Sequence, residues 1–64
     1  MADWIKCTDT QGRSIFVNLA PAMSMHWNDH ERCNIIAYPG GPDEILRVRE
    51  KPNEVFGAER IDRN

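Results

Sequence analysis

The chain has 64 residues and a net charge of −2, from eight basic and ten acidic residues that are interspersed rather than blocked. A domain of this size buries only about 60% of the surface its unfolded form exposes, and small domains offset that deficit with disulfides, a metal or oligomerisation. The lack of a basic excess argues against a general nucleic-acid binder, which displaces phosphate counterions with Lys and Arg; no run approaches the ~20 apolar residues that span a bilayer.

In chain order, apolar residues recur at every second position, the mark of strands rather than helices. Trp4 to Thr8 sets Ile5 and Cys7 against Trp4, Lys6 and Thr8. Asp9-Thr10-Gln11-Gly12 is a turn, with Gly12 suited to the positive φ that closes a hairpin loop longer than two residues. Ser14 to Leu19 places Ile15, Val17 and Leu19 on one face and Ser14, Phe16 and Asn18 on the other, which leaves Phe16 outside. A corner at Pro21 follows, since proline lacks an amide donor and keeps Ala20 extended. Ala22 to Trp27 then sets Met23, Met25 and Trp27 opposite Ala22, Ser24 and His26, a strand whose methionines also allow a helical turn.

After the polar loop Asn28 to Arg32, the segment Cys33 to Tyr38 holds adjacent Ile35 and Ile36, so both faces are partly apolar and the strand is central or covered on both sides. Pro39-Gly40-Gly41-Pro42-Asp43 is the clearest turn. Glu44 to Glu50 directs Leu46 and Val48 inward and Ile45, Arg47 and Arg49 outward. Pro52 is placed as a first helical residue and Glu54 sits in the first turn, where the helix dipole favours negative charge; Val55 and Phe56 are expected over an open end of the sheet, and Gly57 shortens the helix. Residues 59–64 read as a frayed tail. No repeat, linker or low-complexity tract divides the chain, so residues 1–64 form one domain.

The fold expected is all-β: about five short antiparallel strands in a small SH3-like barrel or curled sheet, with a short C-terminal helical turn. Its core is Ile5, Cys7, Ile15, Val17, Leu19, Met23, Met25, Ile35, Ala37, Leu46, Val48 and Val55. The run "WIKCTDTQGRSIFVN", the later "NIIAYPGGPDEILRVRE" and the helix start "KPNEV" resemble the small bacterial proteins related to the flagellar FlbD and swarming-motility SwrD family. The likeness spans Ile5 to Val55 and is carried by Gly12, Val17, Asn18, Glu50, Pro52, Glu54 and Val55. It implies an intracellular β-rich fold with no catalytic residues. Lys51 stands where that family has a helix-capping serine, and "PGGPD" is longer than its glycine turn.

Several residues invite chemistry. His26, His30 and Cys33 are of metal-ligand type, but a tetrahedral zinc site needs three or four donors converging at about 2.0–2.3 Å, and a strand, a loop and an inward thiol do not converge; no metal or other cofactor is expected. A thiol nucleophile needs a hydrogen-bonded base and a group to orient it, and the spacing around Cys7 and Cys33 selects none, so the chain is not expected to be an enzyme. Two thiols in strands, with charged Asp3 and Lys6 interrupting any apolar leader, fit a reducing cytoplasmic setting and no membrane insertion.

Trp4, Phe16, Trp27 and Ile45 are apolar residues on outward faces and form the candidate interaction surface, which a domain with a thin core gains stability by burying in a copy of itself. Self-association as a dimer or larger, or contact with an unidentified protein, is the expected mode of action. Phe16 with Arg47, Arg49 and Lys51 is the alternative, a minimal platform for stacking single-stranded RNA or DNA, against which the acidic balance argues.

Overall fold

Alternation becomes strand pairing in two antiparallel sheets. The computed structural model describes residues 3–61, with β1 (Trp4–Thr8), β2 (Ser14–Asn18), β3 (Ser24–Asn28), β4 (Cys33–Ala37), β5 (Ile45–Val48) and one short helix, α1 (Pro52–Gly57). β1 pairs with β2, and β3, β4 and β5 form the second sheet with β4 central, as its adjacent isoleucines require. No helix among the described residues is long and apolar enough to cross a membrane.

Each reversal has a local cause. In the first hairpin Asp9 Oδ1 accepts the amides of Gln11 and Arg13, each at 2.9 Å, while Arg13 Nε donates to Oδ2 at 2.9 Å. These bonds favour the ionised form, so the Asp9 carboxyl lies below its ordinary value, the Arg13 amide contributing most. Gly12 then sits at φ 87°, which a side chain would strain. Arg32 takes the left-handed conformation at φ 56° to close the β3–β4 loop. Gly40 allows the last turn both by its φ of 127° and because a Cβ there would fall 2.6 Å from Glu44 Cγ.

The two sheets meet at the end of β1. Arg49 N–H donates to Thr8 C=O at 2.8 Å, and Asp9 and Val48 form an isolated bridge. Glu50 takes the Thr8 amide on Oε1 at 2.8 Å and the Thr8 hydroxyl on Oε2 at 2.9 Å. Ile61 N–H donates to Trp4 C=O at 2.8 Å on the same edge of β1. Among the described residues β2 and β3 share no ladder, so the sheets curl without closing into a barrel.

Ile5, Cys7, Val17, Leu19, Ile36, Val48 and Val55 form the buried cluster, with Ile15, Met25 and Leu46 packed against it. Three expectations are corrected. Met23 is 71% exposed: its amide bonds Ala37 C=O, although Ser24 is the register partner of Ala37, so two residues face one and the alternation breaks, as at a bulge. In β4 the faces are exchanged. The register sets Met25 opposite Ile36 and Trp27 opposite Asn34, so Ile36 and Asn34 are fully buried while Ile35 and Ala37 are half-buried on the other face; Cys33 is buried beside the turn and misleads the alternation count. The tail expected to fray from residue 59 is pinned at Ile61 and by an ion pair of Arg60 with Asp3; residues 62–64 lie outside the described residues.

Asn34 is the anomaly of this core, because neither its Nδ2 nor its Oδ1 has a hydrogen-bond partner. A buried amide left unpaired costs about 1–3 kcal/mol. Asn34→Val, a β-branched replacement, is expected to raise the unfolding free energy read from a urea titration by about 1 kcal/mol after some overpacking; a lower value would show that the amide is satisfied in solution. Glu50→Ala removes both bonds to Thr8 and is expected to lose about 1–3 kcal/mol of unfolding free energy, the range for hydrogen bonds to a charged group plus an orphaned donor.

Candidate functional site

The outer face of the β1–β2 hairpin is built by alternation. Trp4 faces Asn18 and Phe16 faces Lys6 across the ladder, so the two aromatics stand on one face as diagonal neighbours, within reach of ring contact. Phe16 is 57% exposed at the middle of its strand, while Trp4 is half-buried. Trp27 and Ile45 do not join them. Trp27 lies on the core-side face of the second sheet, opposite Asn34, with its indole N–H donating to Asp29 Oδ1 at 2.9 Å and Lys51 Nζ 5.6 Å from its ring centroid, a cation–π contact. Ile45 pairs with Ala37 on the opposite face of that sheet and is half-buried. The four residues therefore divide into one aromatic pair and two separate positions.

The three cations of the stacking alternative are engaged within the chain. Arg47 Nε donates to Glu31 Oε1 at 2.8 Å, Arg49 donates to Thr10 C=O at 3.0 Å, and Lys51 covers Trp27. The strand ends at Val48, so its alternation does not carry through Arg49 to Lys51, which instead precedes α1. There Glu54 Oε1 accepts the Lys51 amide at 2.8 Å, half of a capping box that a lysine side chain, having no acceptor, does not complete.

His26 is exposed on β3, His30 is exposed in the following loop and Cys33 is buried. Among the described residues no group of three or more His, Cys, Asp or Glu side chains is placed to hold a metal ion. Both cysteines are free and buried. The Cys7 thiol is pushed up to about 11, first by burial and then by the nearby Glu50 carboxylate, which leaves very little thiolate, the nucleophilic form, at neutral pH. Tyr38, whose hydroxyl donates to Asn18 C=O at 2.8 Å, is also raised, by burial and by Cys7.

Leu19, Ala22, Met23, Met25 and Phe56 line an open groove of about 170 Å³, with Asp3 and Arg60 also on its wall. Phe56 is 66% exposed where it was expected to cover the sheet beside Val55. Adjacent helical residues point about 100° apart, so a single turn that buries Val55 turns Phe56 outward; that spacing was the available signal. For Met23 the signal was weaker, because the break in alternation depends on the pairing with Ala37.

No protein-family model, no curated protein and no solved structure matches this chain.

Two measurements check the geometry. A thiol reagent at pH 8 is expected to leave Cys7 unmodified in the native protein and to titrate two thiols once urea unfolds it; rapid native labelling of Cys7 would contradict its burial. Met23→Ser and Phe56→Ser, at exposed positions, are expected to shift stability by no more than about 0.5 kcal/mol each.

Proposed function

We propose that this chain acts by protein contact rather than catalysis, and that it associates with itself through the outer face of the β1–β2 hairpin. The observation that carries the reading is Phe16, an aromatic side chain 57% exposed at the centre of a strand and beside Trp4 on the same face. A large apolar side chain held in water on a rigid strand gains free energy when a second surface covers it, and a chain with so small a buried cluster gains stability from the same event. The engaged cations and the acidic balance speak against the stacking of single-stranded nucleic acid. The free cysteines support a reducing cytoplasmic setting, and the likeness of the Gly12, Val17-Asn18 and Pro52 to Val55 segments to the FlbD and SwrD group supports a small bacterial protein without catalytic residues.

Light scattering over a hundredfold range of concentration is expected to show a dimer or larger species that dissociates on dilution. Phe16→Asp should give a folded monomer with an unchanged circular dichroism spectrum. Labelled single-stranded RNA at low salt is expected to remain unbound; salt-sensitive micromolar binding lost in Arg47→Glu would replace this reading with the nucleic-acid one.

A further inference from the structure

The hydrogen-bond phase of the first hairpin determines what β2 offers on its free side. Leu19 N–H donates to Asp3 C=O at 3.0 Å and Asp9 N–H donates to Arg13 C=O at 2.9 Å. In an antiparallel ladder bonded and non-bonded pairs alternate. The bonded pairs across this hairpin are accordingly Cys7 with Ile15 and Ile5 with Val17, whereas Lys6 with Phe16 is non-bonded. The same phase explains the other edge of β1, where the carbonyls of Trp4 and Thr8 point away from β2 and accept from Ile61 and Arg49. By the identical rule the backbone groups of Ser14, Phe16 and Asn18 point away from β1, to the side of β2 that has no neighbouring strand among the described residues; there the Asn18 carbonyl accepts the Tyr38 hydroxyl at 2.8 Å and keeps its second lone pair for an incoming amide.

Proteins usually blunt such an edge with charge, proline or a bulge. β2 is Ser-Ile-Phe-Val-Asn, with no charged residue, no proline and a regular register over all five positions. Its residues also match their own reverse. Turned about Phe16, Ser14 meets Asn18, Ile15 meets Val17 and Phe16 meets itself, so hydroxyl faces amide, aliphatic faces aliphatic, and no like charges are brought together. β1 and β5 are joined to each other at Thr8 and Arg49 and at the Asp9–Val48 bridge. β3 has α1 packed against it.

We infer that two copies of this chain join β2 to β2 antiparallel about a two-fold axis at Phe16, forming a continuous four-stranded sheet in which Phe16 exchanges both backbone hydrogen bonds with the partner's Phe16. The occupant of the edge is therefore a second copy, and the contact is isologous, as closed dimers require. The two Phe16 rings then lie directly opposite on the outer face, with Cα atoms about 5.5 Å apart, flanked by both Trp4 side chains. Aromatic burial supplies the attraction and the backbone ladder the register, the division of labour seen when a strand is added to a sheet edge. This inference rests on the self-association proposed above and adds its geometry.

Amide hydrogen exchange on the unmodified protein tests it directly. The Phe16 and Ser14 amides are expected to exchange at least tenfold more slowly in the associated state than after dilution to monomer, while the Val17 amide, bonded within the hairpin, is protected in both. Unprotected Phe16 in a species that light scattering shows to be dimeric would overturn the edge pairing and leave self-association standing. Ser14→Pro removes only an outward donor and leaves the hairpin ladder and the Phe16 ring in place, a substitution edge strands accept; it is expected to weaken association at least tenfold with the fold intact by circular dichroism. A dimer unaffected by Ser14→Pro but lost in Phe16→Asp would point to face-to-face packing and overturn the edge geometry, and a wild-type chain monomeric at all concentrations would overturn both proposals.

Discussion

The end of β1 is where this fold is held together. Thr8 uses its carbonyl for Arg49 and its amide and hydroxyl for the two oxygens of Glu50, the latter contacts crossing 42 residues of sequence. Besides them the first hairpin and the three-stranded sheet are joined by the apolar cluster, the Asp9–Val48 bridge and the side-chain bonds of Tyr38 to Asn18 C=O and of Arg49 to Thr10 C=O. A two-stranded hairpin is marginal in water, and a third strand or a packed element is needed for independent stability. Glu50 supplies that continuity with a charged acceptor, about twice as strong as a neutral one, at the position where β5 gives way to the residue before α1. Burial first, and then the Glu50 carboxylate of this joint, raises the Cys7 thiol, so the contact that unites the sheets adds to what keeps that sulfur chemically quiet.

Local features were legible in the sequence wherever one cause dominated. Strand spans, the Gly12 and Gly40-Gly41 turns, the central place of β4 and the helix start at Pro52 follow from alternation and turn chemistry, and the inward residues of β1, β2 and β5 follow from parity. Parity fails where a neighbour decides. In β4 every position from Cys33 to Ala37 is at least half-buried, so burial alone carries no face information, and the pairing with Trp27 and Met25 shows that Asn34 and Ile36 look inward. An asparagine in a core with no partner for its amide is not something composition can announce. The candidate surface shows the same split: Trp4 and Phe16 share a face because both lie on one hairpin, whereas Trp27 and Ile45 depend on a register that no single strand encodes.

Charge is spent on the inside of the molecule's own surface. Arg13 serves Asp9, Arg47 serves Glu31 and Arg60 serves Asp3, while Lys51 lies over Trp27. Exposed pairs of this kind contribute little stability each, yet together they leave few free cations to build the positive groove that a nucleic acid would need. The large apolar residues exposed on the exterior are Phe16 on one side and Met23 and Phe56 on the other.

The placement of those apolar residues follows from how the sheets are joined. With β1 and β5 fused at Thr8 and β4 central, the strands left with open sides are β2 and β3, at opposite ends of the curl. β3 has α1 beside it, with the Met23 and Phe56 groove at that end. Among the described residues β2 has on that side the Tyr38 hydroxyl on the Asn18 carbonyl, with the backbone groups of Ser14 and Phe16 facing outward and an aromatic ring above them. A barrel closed between β2 and β3 would have removed both edges at once. The chain instead stops short of closure, and the geometry that denies β2 an internal neighbour is the one from which its pairing with a copy of itself is proposed.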